Sequence, residues 1–464
     1  MNKTLGIDIA CRAAHQAALA VDGRLSWAGR KFFTRPADLD RLWADLDLDD
    51  PAELTVVLEP TRNAWIVVAA WFRARGARVV MVPTTQSADL RAYYSKHAKN
   101  DRLDSGLLAR LPLLHPEGLR EFSGPGPADP LRRLVKQRSS IVKRRTAIYQ
   151  RLDALLELLG PAWYDVLGSN YGKAALMLLS HYGDPTAVIR LGHARLTRFL
   201  ARHSRGAWKE DHARALLAAA RESLHLWDHG GIDFTELAAD LAVEAEQAQM
   251  LTEQIEDLDE RIANLYADAD PAGLVASAPG LGPVTSAVIV GRIGDPHRFH
   301  SLAAIRAYSG LVPKVSQSGT SNPVLGITRA GDPLLREALF LAADAARKVD
   351  PQLAAKYQRL MNTDRHHDSA LCHIATILLT RIATCWRTGE PYVLRDTDGR
   401  TITETEGRQI VRDHHQVDPR RRQQAADTRR PRRLKNRTGR ESQKSPSAPT
   451  SRPANTQPRS THAA

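Results

Sequence analysis

Apolar and polar residues alternate at the start of the chain. Leu5, Ile7 and Ile9 occupy every second position, and a period of two is typical of a half-buried β-strand. The next segment, HQAALAVDGRLSWAGRKFF, has an Asp-Gly pair between two apolar runs, which indicates a hairpin turn. The pattern therefore predicts three consecutive strands joined as a meander.

Helices and strands then alternate up to about residue 125. An amphipathic helix is predicted from Pro36 to Asp50, followed by the strand LTVVLEP, the helix RNAWIVVAAWFRARG, the strand ARVVMVP and a helix in KNDRLDSGLLAR. This order, β-β-β-α-β-α-β-α, favours an RNase H-like α/β domain over residues 1–125. The order alone leaves other α/β folds open.

Beyond a proline-rich break the apolar spacing becomes helical. One long stripe lies in residues 134–159 and a second in residues 251–265. The two stripes predict either an antiparallel helical pair or a dimerising coiled coil within residues 126–270. The insert between them, 161–232, is predicted to be mostly helical, and its sequence indicates no function. The last folded unit, 271–395, is predicted to be mainly helical.

The positive charge is concentrated at the end of the chain. The net charge is +13, and the segment from Pro419 to Ala464 holds 13 Lys and Arg against the two acids Asp427 and Glu441. Residues 415–464 lack apolar periodicity and are rich in Pro, Ser and Thr, which predicts a disordered basic tail. An anionic partner such as DNA or RNA is indicated, although a solubilising extension has the same composition.

Cysteine content and hydropathy exclude several classes of protein. The three cysteines form no CxxC pair, which argues against a disulfide framework and a zinc finger. Charges interrupt every long apolar segment before the roughly 20 residues that a membrane span needs, and MNKTLGIDIA leads directly into a strand. We therefore expect a cytoplasmic, nucleoid-associated protein with no membrane partner.

Four carboxylates fall where an RNase H-like fold would bring them together. Asp8 lies on the polar face of the first strand, and Glu59 ends the strand LTVVLEP. Asp101 and Asp104 are three residues apart near a helix start and so leave the same helix face. Such a cluster needs a compensating cation, and oxygen ligands suit Mg²⁺ or Mn²⁺.

A competing interpretation treats GIDIA as the first phosphate loop of an actin-like or sugar-kinase ATPase. That fold would need a second glycine-rich phosphate loop and an adenosine motif, and the sequence contains neither. Beside the predicted metal site, Lys96, His97, Lys99 and Arg102 could hold a DNA backbone, or could form a solvated helix face.

Two glycine-containing segments are candidates in the last unit. PGLGPVTSA, with Gly280 and Gly282, resembles the turn of a helix-hairpin-helix motif, which offers backbone N–H groups to phosphate. Downstream, YSGLVPKVSQSGTSNPVLGITRAGDP is a Gly-rich loop with several hydroxyl residues and no GxSxG elbow. The hydroxyl residues are Ser309, Ser316, Ser318, Thr320 and Ser321.

The ordered set GIDIA, VVLEPT, KHAKNDRLDSGLLA, PGLGPVTSA and GLVPKVSQSGTSN resembles the DEDD transposases of bacterial mobile elements, the insertion sequence 110 family. The resemblance covers residues 1–125 and 271–392. It implies a RuvC-like N-terminal domain and a C-terminal transposase domain with a catalytic serine. The insert and the basic tail depart from the family pattern.

Carried over position by position, the resemblance makes Asp8, Glu59, Asp101 and Asp104 the metal site and Ser318, in QSGT, the nucleophile. It implies transesterification of donor and target DNA through a 5′-phosphoserine-type intermediate. It also implies a homo-oligomer, from a dimer to a tetrameric synapse, and guidance by a structured noncoding bridge RNA.

The first long helix offers a basic stripe that could bind RNA phosphates, although a solvated coiled-coil surface would have the same pattern. Its basic positions are Arg132, Arg133, Lys136, Arg138, Lys143, Arg144, Arg145 and Arg151. The histidines of RHHDSALCH could suggest a metal, but a helix surface explains them as well.

Two other functions stay open from the sequence. A RuvC-like endonuclease or junction resolvase would hydrolyse DNA with metal and form no covalent intermediate. A non-catalytic relic of a transposase would bind nucleic acid and transfer no strand, but the four intact acids argue against it.

Overall fold

A computed structural model describes most of the chain. The described residues are 2–83, 87, 89, 101–114, 116, 119–122, 124, 128–168, 170–313, 326–421 and 423. They divide into two compact units, Met1–Gly126 and Pro127–Ala464. The boundary predicted at residue 270 falls inside the second unit.

The first unit contains a six-stranded mixed sheet in the order β3-β2-β1-β4-β5-β6. The strands β1, β2 and β3 are antiparallel, β1 is parallel to β4, β4 is parallel to β5, and β5 is antiparallel to β6. The strands are β1 (Lys3–Asp8), β2 (His15–Val21), β3 (Arg24–Phe32), β4 (Leu54–Leu58), β5 (Arg78–Met81) and β6 (Arg120–Glu121).

Three helices of this unit are described: α1 (Pro36–Ala44), α2 (Ala64–Ala74) and α3 (Asp101–Leu114). The order β-β-β-α-β-α-β-α is confirmed, and the short strand β6 is an addition. The hairpin turn is also confirmed, because Asp22 and Gly23 both take the positive φ that such a turn requires.

One predicted boundary is wrong. The helix predicted from Pro36 to Asp50 ends at Ala44. Asp47 takes a positive φ of 47°, and Asp50 precedes Pro51, which disfavours helical backbone before it. The chain therefore leaves the helix six residues earlier than the apolar pattern predicts.

The second unit is mainly helical in its described part, with one large apolar core and a small separate cluster formed by Val349, Leu394 and Ile402. Its helices are α4 (Ala128–Leu156), α5 (Ala162–Leu167), α6 (Lys173–Tyr182), α7 (Pro185–Leu191), α8 (His193–His203), α9 (Glu210–Leu226), α10 (Phe234–Ala269), α11 (Pro283–Ile293), α12 (Leu302–Ser309), α13 (Pro333–Ala346), α14 (Pro351–Asn362), α15 (His367–Thr388) and α16 (Glu404–His414). The expectation of a helical middle and a mainly helical last unit is confirmed.

The two long helices α4 and α10 pack against each other within one chain. Arg138 pairs with Asp259 near one end, and Arg151 pairs with Glu244 towards the other. The residue numbers of the paired side chains rise along α4 and fall along α10, so the two helices are antiparallel. Of the two predicted arrangements, the structure contains the intrachain pair; a dimerising coiled coil stays a prediction.

One described helix, α15, is long and apolar enough to cross a membrane. Its side chains Ile374, Leu378 and Ile382 are fully buried among the other helices of the second unit. The composition of α15 is therefore that of a core helix, and no membrane protein is indicated.

Candidate functional site

Two acidic residues lie side by side at one edge of the sheet. Asp8 is the last residue of β1, and Glu59 directly follows β4. The register of these parallel strands pairs Ile7 with Leu58, so the next residues on each strand are neighbours. The carboxyl ends of two adjacent parallel strands therefore present their carboxylates at the same position, as the sequence pattern predicts.

A close backbone contact brings α3 to this edge. A Cβ atom on Gly6 would lie 2.3 Å from the backbone nitrogen of Ala109 and 2.3 Å from the carbonyl oxygen of Ser105. Only glycine leaves room for α3 to lie directly on β1. Asp104 lies one turn before Leu108 on the same helix. The close contact with Gly6 therefore places Asp104 at the acidic edge.

Asp8, Glu59 and Asp104 line one small pocket. The hydroxyl of Ser87 also lies there and donates a hydrogen bond of 2.7 Å to Glu59 Oε2. The remaining lining is apolar and comes from Val82, Leu107, Leu108 and Leu111. Three of the four predicted acids are thus brought together in one concave site.

The other predicted residues of this region lie beyond what the structure describes. Asp101 is the first residue of α3, but its side chain and that of Arg102 are not among the described atoms. Lys96, His97 and Lys99 also lie outside the described residues. Their predicted roles stay predictions.

The acidic pocket suits a divalent cation by its chemistry. Carboxylate oxygens are the ligands that hard divalent ions prefer, and like charges in one pocket need a counter-ion. Within the described residues, no three His, Cys, Asp or Glu side chains already stand in a ligating arrangement. The donor set therefore fits a metal, and binding would require the carboxylates to adjust around it.

A buried histidine beside this edge was missed by the sequence analysis. His15 begins β2, next to Gln16, the strand partner of Asp8. The backbone N–H of Ala10 donates to His15 Nδ1 over 3.1 Å, and Nε2 lies 2.7 Å from Thr34 Oγ1. Burial lowers the pKa of His15, which keeps the ring neutral so that it can accept from Ala10. His15 therefore holds the loop that follows Asp8.

In the second unit, the segment containing Ser318 lies outside the described residues, but its two flanks are described. Pro313 pairs with Ile327, and the N–H of Thr328 donates to the carbonyl of Val312 over 2.9 Å. The flanks 308–313 and 326–332 therefore close into a short antiparallel stem.

Two glycines permit the stem to close. A Cβ on Gly331 would lie 2.3 Å from Gly310 N and 2.3 Å from the carbonyl oxygen of Tyr308. Gly310 also takes a φ of 70°. Neither position tolerates a side chain, so the stem depends on both glycines.

A buried ion pair fixes the stem to the helices. Asp332 is 7% exposed, caps α13 through the N–H groups of Leu334 and Leu335, and accepts from Arg292 Nε over 2.7 Å. Arg336 donates to the carbonyl of Ser309. The carboxylate therefore has a structural role in holding the start of α13.

Of the candidate hydroxyl residues in this region, Ser309 is described. Its side chain is fully buried and donates to the carbonyl of Arg306 over 2.7 Å, while the N–H of Leu311 points to the same hydroxyl. Ser309 thus stabilises the turn after α12. Ser316, Thr320 and Ser321 lie outside the described residues with Ser318.

The two glycines of PGLG have different surroundings. Gly280 takes a φ of 77°, and a Cβ there would lie 2.3 Å from Ala346 N, so it allows close packing on the end of α13. Gly282 is exposed, precedes Pro283 at the start of α11 and has no atom within 4 Å of its Cβ position. Phosphate binding by either residue, and the helix-hairpin-helix motif, stay predictions.

The basic residues of α4 divide into two groups. Arg132 donates to the carbonyls of Gly291 and Arg292 at the end of α11, and Arg145 donates to Thr252. These two arginines therefore hold the second unit together. The exposed basic residues on the opposite side of α4 are Arg133, Lys136, Lys143 and Arg144.

The histidines near α15 have structural contacts. His366 caps the helix by accepting from the N–H of Asp368, and His367 Nδ1 lies 2.7 Å from the hydroxyl of Tyr357. His373 lies 3.5 Å from Arg365. No metal-binding group is found here among the described residues.

A mixed α/β sheet that carries an acidic pocket, followed by a helical remainder, fits the class of DEDD transposases. Two family models match this chain. A DEDD transposase model of the IS110 type, described as "Transposase", matches residues 5–161, and the model "Transposase IS116/IS110/IS902 family" matches residues 272–358. Together they cover more than half of the chain, which belongs to the IS116/IS110/IS902 family of transposases and is a DNA transposase.

Several curated relatives come from insertion elements. The 44.8 kDa protein of insertion element IS116 from Streptomyces clavuligerus is 27% identical over 61% of this chain and 73% of its own length. The 43.6 kDa protein of IS110 from Streptomyces coelicolor is 27% identical over 70% of this chain and 79% of its own. The transposase of IS1328 from Yersinia enterocolitica is 28% identical over 29% of this chain and 40% of its own.

Family membership has two further implications. A transposase acts on DNA substrates. DEDD-type transposase domains generally depend on a divalent metal, which agrees with the chemistry of the acidic pocket.

Proposed function

We propose that this transposase cleaves and rejoins the DNA strands of its insertion sequence through Ser318, with assistance from a metal site formed by Asp8, Glu59, Asp101 and Asp104. The observation that carries the proposal is the acidic pocket, in which Asp8, Glu59 and Asp104 meet on three different elements. Three acids distant in sequence seldom share one concave site without a catalytic or binding role.

The fold proposed for the first unit is RNase H-like, of the RuvC type. The sheet order β3-β2-β1-β4-β5, with three antiparallel strands and two parallel ones, supports it. The first strand and the fourth strand are neighbours in this order, which is why Asp8 and Glu59 meet.

Asp8, Glu59 and Asp104 would hold a divalent ion, which we propose to be Mg²⁺ or Mn²⁺, with Asp101 completing the set. The bound ion would stabilise negative charge at the scissile phosphate. Ser87 keeps one oxygen of Glu59 in a fixed orientation by donating to it, so that the other oxygen is available for a ligand.

Ser318 is proposed to attack the phosphorus atom of the scissile bond. The Ser318 Oγ–P bond forms, the bond between phosphorus and the 3′ oxygen breaks, and that oxygen leaves as a 3′-hydroxyl after gaining a proton. A 3′-hydroxyl of the new partner strand then attacks the phosphoserine and releases Ser318 with its proton restored. The phosphodiester energy is kept for rejoining.

The stem formed by the two described flanks, 308–313 and 326–332, supports this role. Glycines 310 and 331 and the Arg292–Asp332 pair fix both ends of the segment that contains Ser318. A nucleophile on a segment with anchored ends needs less ordering when substrate binds.

The test is covalent capture of DNA. Reaction on a duplex nicked near the cleavage site, followed by denaturing electrophoresis and peptide mapping, should yield a protein–DNA adduct at Ser318. The adduct should disappear in Ser318→Ala and remain in the control Ser316→Ala. Cleavage with no adduct, or an adduct on another residue, would favour a RuvC-like endonuclease instead.

The metal site has its own test. Asp8→Asn and Asp104→Asn should abolish strand exchange in Mg²⁺ and leave DNA binding nearly unchanged, because each removes a ligand charge and keeps the side-chain shape. The exposed Asp40→Asn is the matched control and should remain active. Full strand exchange by Asp8→Asn would contradict the metal-site assignment.

Further parts of the proposal concern partners. We propose that a structured bridge RNA encoded beside the gene selects donor and target DNA, that dimers to tetramers assemble on it, and that the protein acts at the nucleoid. Lys96, Lys99, Arg102, Arg133, Lys143 and Arg144 are proposed phosphate contacts, together with Arg132, Arg145, Gly280 and Gly282. Sequencing the RNA that copurifies with the protein tests the RNA assignment; a random transcript pool would contradict it.

A further inference from the structure

The helical insert contains an unusual stretch of charge. Residues 185–209 include six Arg and Lys and no Asp or Glu. Outside the basic tail the rest of the chain is almost neutral, and only residues 130–152 of α4, with eight Arg and Lys and no acid, have a larger local excess of positive charge in the sequence. The six basic residues are Arg190, Arg195, Arg198, Arg202, Arg205 and Lys209.

The helix α8 places three of these cations on one face. Leu196 and Leu200 are fully buried on its inner side. Arg195, Arg198 and Arg202 are exposed and follow each other at spacings of three and four residues, which aligns them along the outer side. The helical rise separates successive guanidinium groups by about 5 Å along the helix axis.

The three arginines have no carboxylate partner among the described residues. Arg195 donates to the carbonyls of Leu191 and Arg190 at the end of α7, and Arg198 donates weakly to the carbonyl of Ala194 in its own helix. Most exposed arginines in α9 and α10 instead have acids as near neighbours in sequence. The outer face of α8 is therefore a row of uncompensated positive charge.

The neighbouring helix α6 extends this surface. The ring of His181 lies 6.0 Å from Phe199, whose ring lies 4.6 Å from His203. Burial, together with the positive charges of Arg202, His181 and Lys173, lowers the pKa of His203. An anion bound at this surface would meet several cations at once.

We propose that the outer face of α8, formed by Arg195, Arg198 and Arg202, binds the phosphate backbone of double-stranded DNA. Guanidinium groups match phosphate oxygens in geometry and charge, and their row can contact several phosphates. DNA is the substrate that a transposase requires, whereas an acidic protein or an RNA has no separate support on this surface. The proposal is independent of Ser318 and of the metal site.

The experiment compares two variants of the full chain with equal loss of charge. One is Arg195→Gln/Arg198→Gln/Arg202→Gln. The control is Arg214→Gln/Arg221→Gln/Arg261→Gln, at exposed arginines of the neighbouring helices α9 and α10. Affinity for a duplex of about 30 base pairs is measured by fluorescence anisotropy without divalent metal, across salt concentrations from about 50 to 200 mM.

The α8 variant should bind DNA about ten to a few hundred times more weakly at 100 mM salt, with a slope of log affinity against log salt shallower by about two to three. The control should change the slope by less than about one. Equal effects of the two variants would overturn the proposal, as would loss of affinity for a structured RNA with DNA affinity retained.

A lysine variant separates charge from structure. Arg195→Lys/Arg198→Lys/Arg202→Lys keeps the charge and should restore most of the slope, because the attraction to phosphate is largely electrostatic. Thermal unfolding of the glutamine and lysine variants should stay close to that of the control, since these side chains make only exposed hydrogen bonds to backbone carbonyls of α7 and α8. A lysine variant that binds as weakly as the glutamine variant would refute phosphate binding by this face.

Discussion

Replacing Gly6 by alanine would place a methyl group between β1 and α3. The added Cβ would lie 2.3 Å from two backbone atoms of α3 and 2.8 Å from a third, whereas an ordinary contact begins at 3.4 Å. Because all three are backbone atoms, no side chain can turn aside. The helix must therefore retreat by about 1 Å, and Asp104 retreats with it.

Both stability and activity should fall. Overpacking of this kind costs about 1–3 kcal/mol of unfolding free energy, and a catalytic group displaced by about 1 Å can lose about 100-fold in rate. Denaturant unfolding and the transposition frequency of a marked element measure the two effects. Because Asp104 is a proposed metal ligand, the Mg²⁺ concentration needed for half-maximal activity should also rise.

The same helix supplies the control. A Cβ on Gly106 would meet only the side chain of Leu25, at 3.9 Å. Gly106→Ala should therefore leave activity intact and stabilise the protein by up to about 1 kcal/mol, as alanine does in helix interiors. If Gly6→Ala matched Gly106→Ala in stability and activity, the close contact could not be what positions Asp104.

Three further perturbations test other parts of the chain. Burial holds the pKa of His15 below its value in the unfolded chain. As pH falls through about 6.5, the unfolded state takes up a proton that the folded state excludes, so the free energy of unfolding should decrease. Unfolding followed by tryptophan fluorescence should show a weaker pH dependence in His15→Gln. Asp332→Asn should lower the free energy of unfolding by about 3 kcal/mol, because it leaves the buried Arg292 without its carboxylate. Asp344→Asn, at a more exposed pair, should lower it by less than about 1 kcal/mol. Equal losses in urea unfolding would contradict the burial argument. Removing residues 419–464, with their 13 Lys and Arg, should flatten the salt dependence of DNA binding; an unchanged slope would identify the tail as a passive extension.

The acidic edge could be predicted because short-range rules determine it. Alternation places Asp8 on a strand, and the end of an apolar run places Glu59 on another. Neighbouring parallel strands then bring both carboxylates together. The role of Gly6 was harder to predict. A glycine on the polar face of a strand can indicate a β-bulge, a nearby ligand or a closely packed helix, and the sequence alone does not distinguish these three possibilities.

Contacts between distant segments were not predictable in the same way. His15 has no neighbouring motif, because its partners Ala10 and Thr34 are a backbone group and a common side chain. Arg132 and Arg145 share the spacing of the exposed basic residues on α4, yet they bond to α11 and α10. A basic stripe in sequence does not reveal which carbonyl or hydroxyl group lies opposite each cation.

Because α4 and α10 are antiparallel, the chain leaves this pair at Leu156 and returns to it at Phe234 at the same end. A segment whose two ends are close in space can be lengthened, shortened or exchanged without changing the register of the helices that hold it. The opposite end of α4 lies about 43 Å away along a helix of 29 residues, and Arg132 meets α11 one turn from that end. The insert can therefore change in length or sequence while the register of α4 and α10 stays the same.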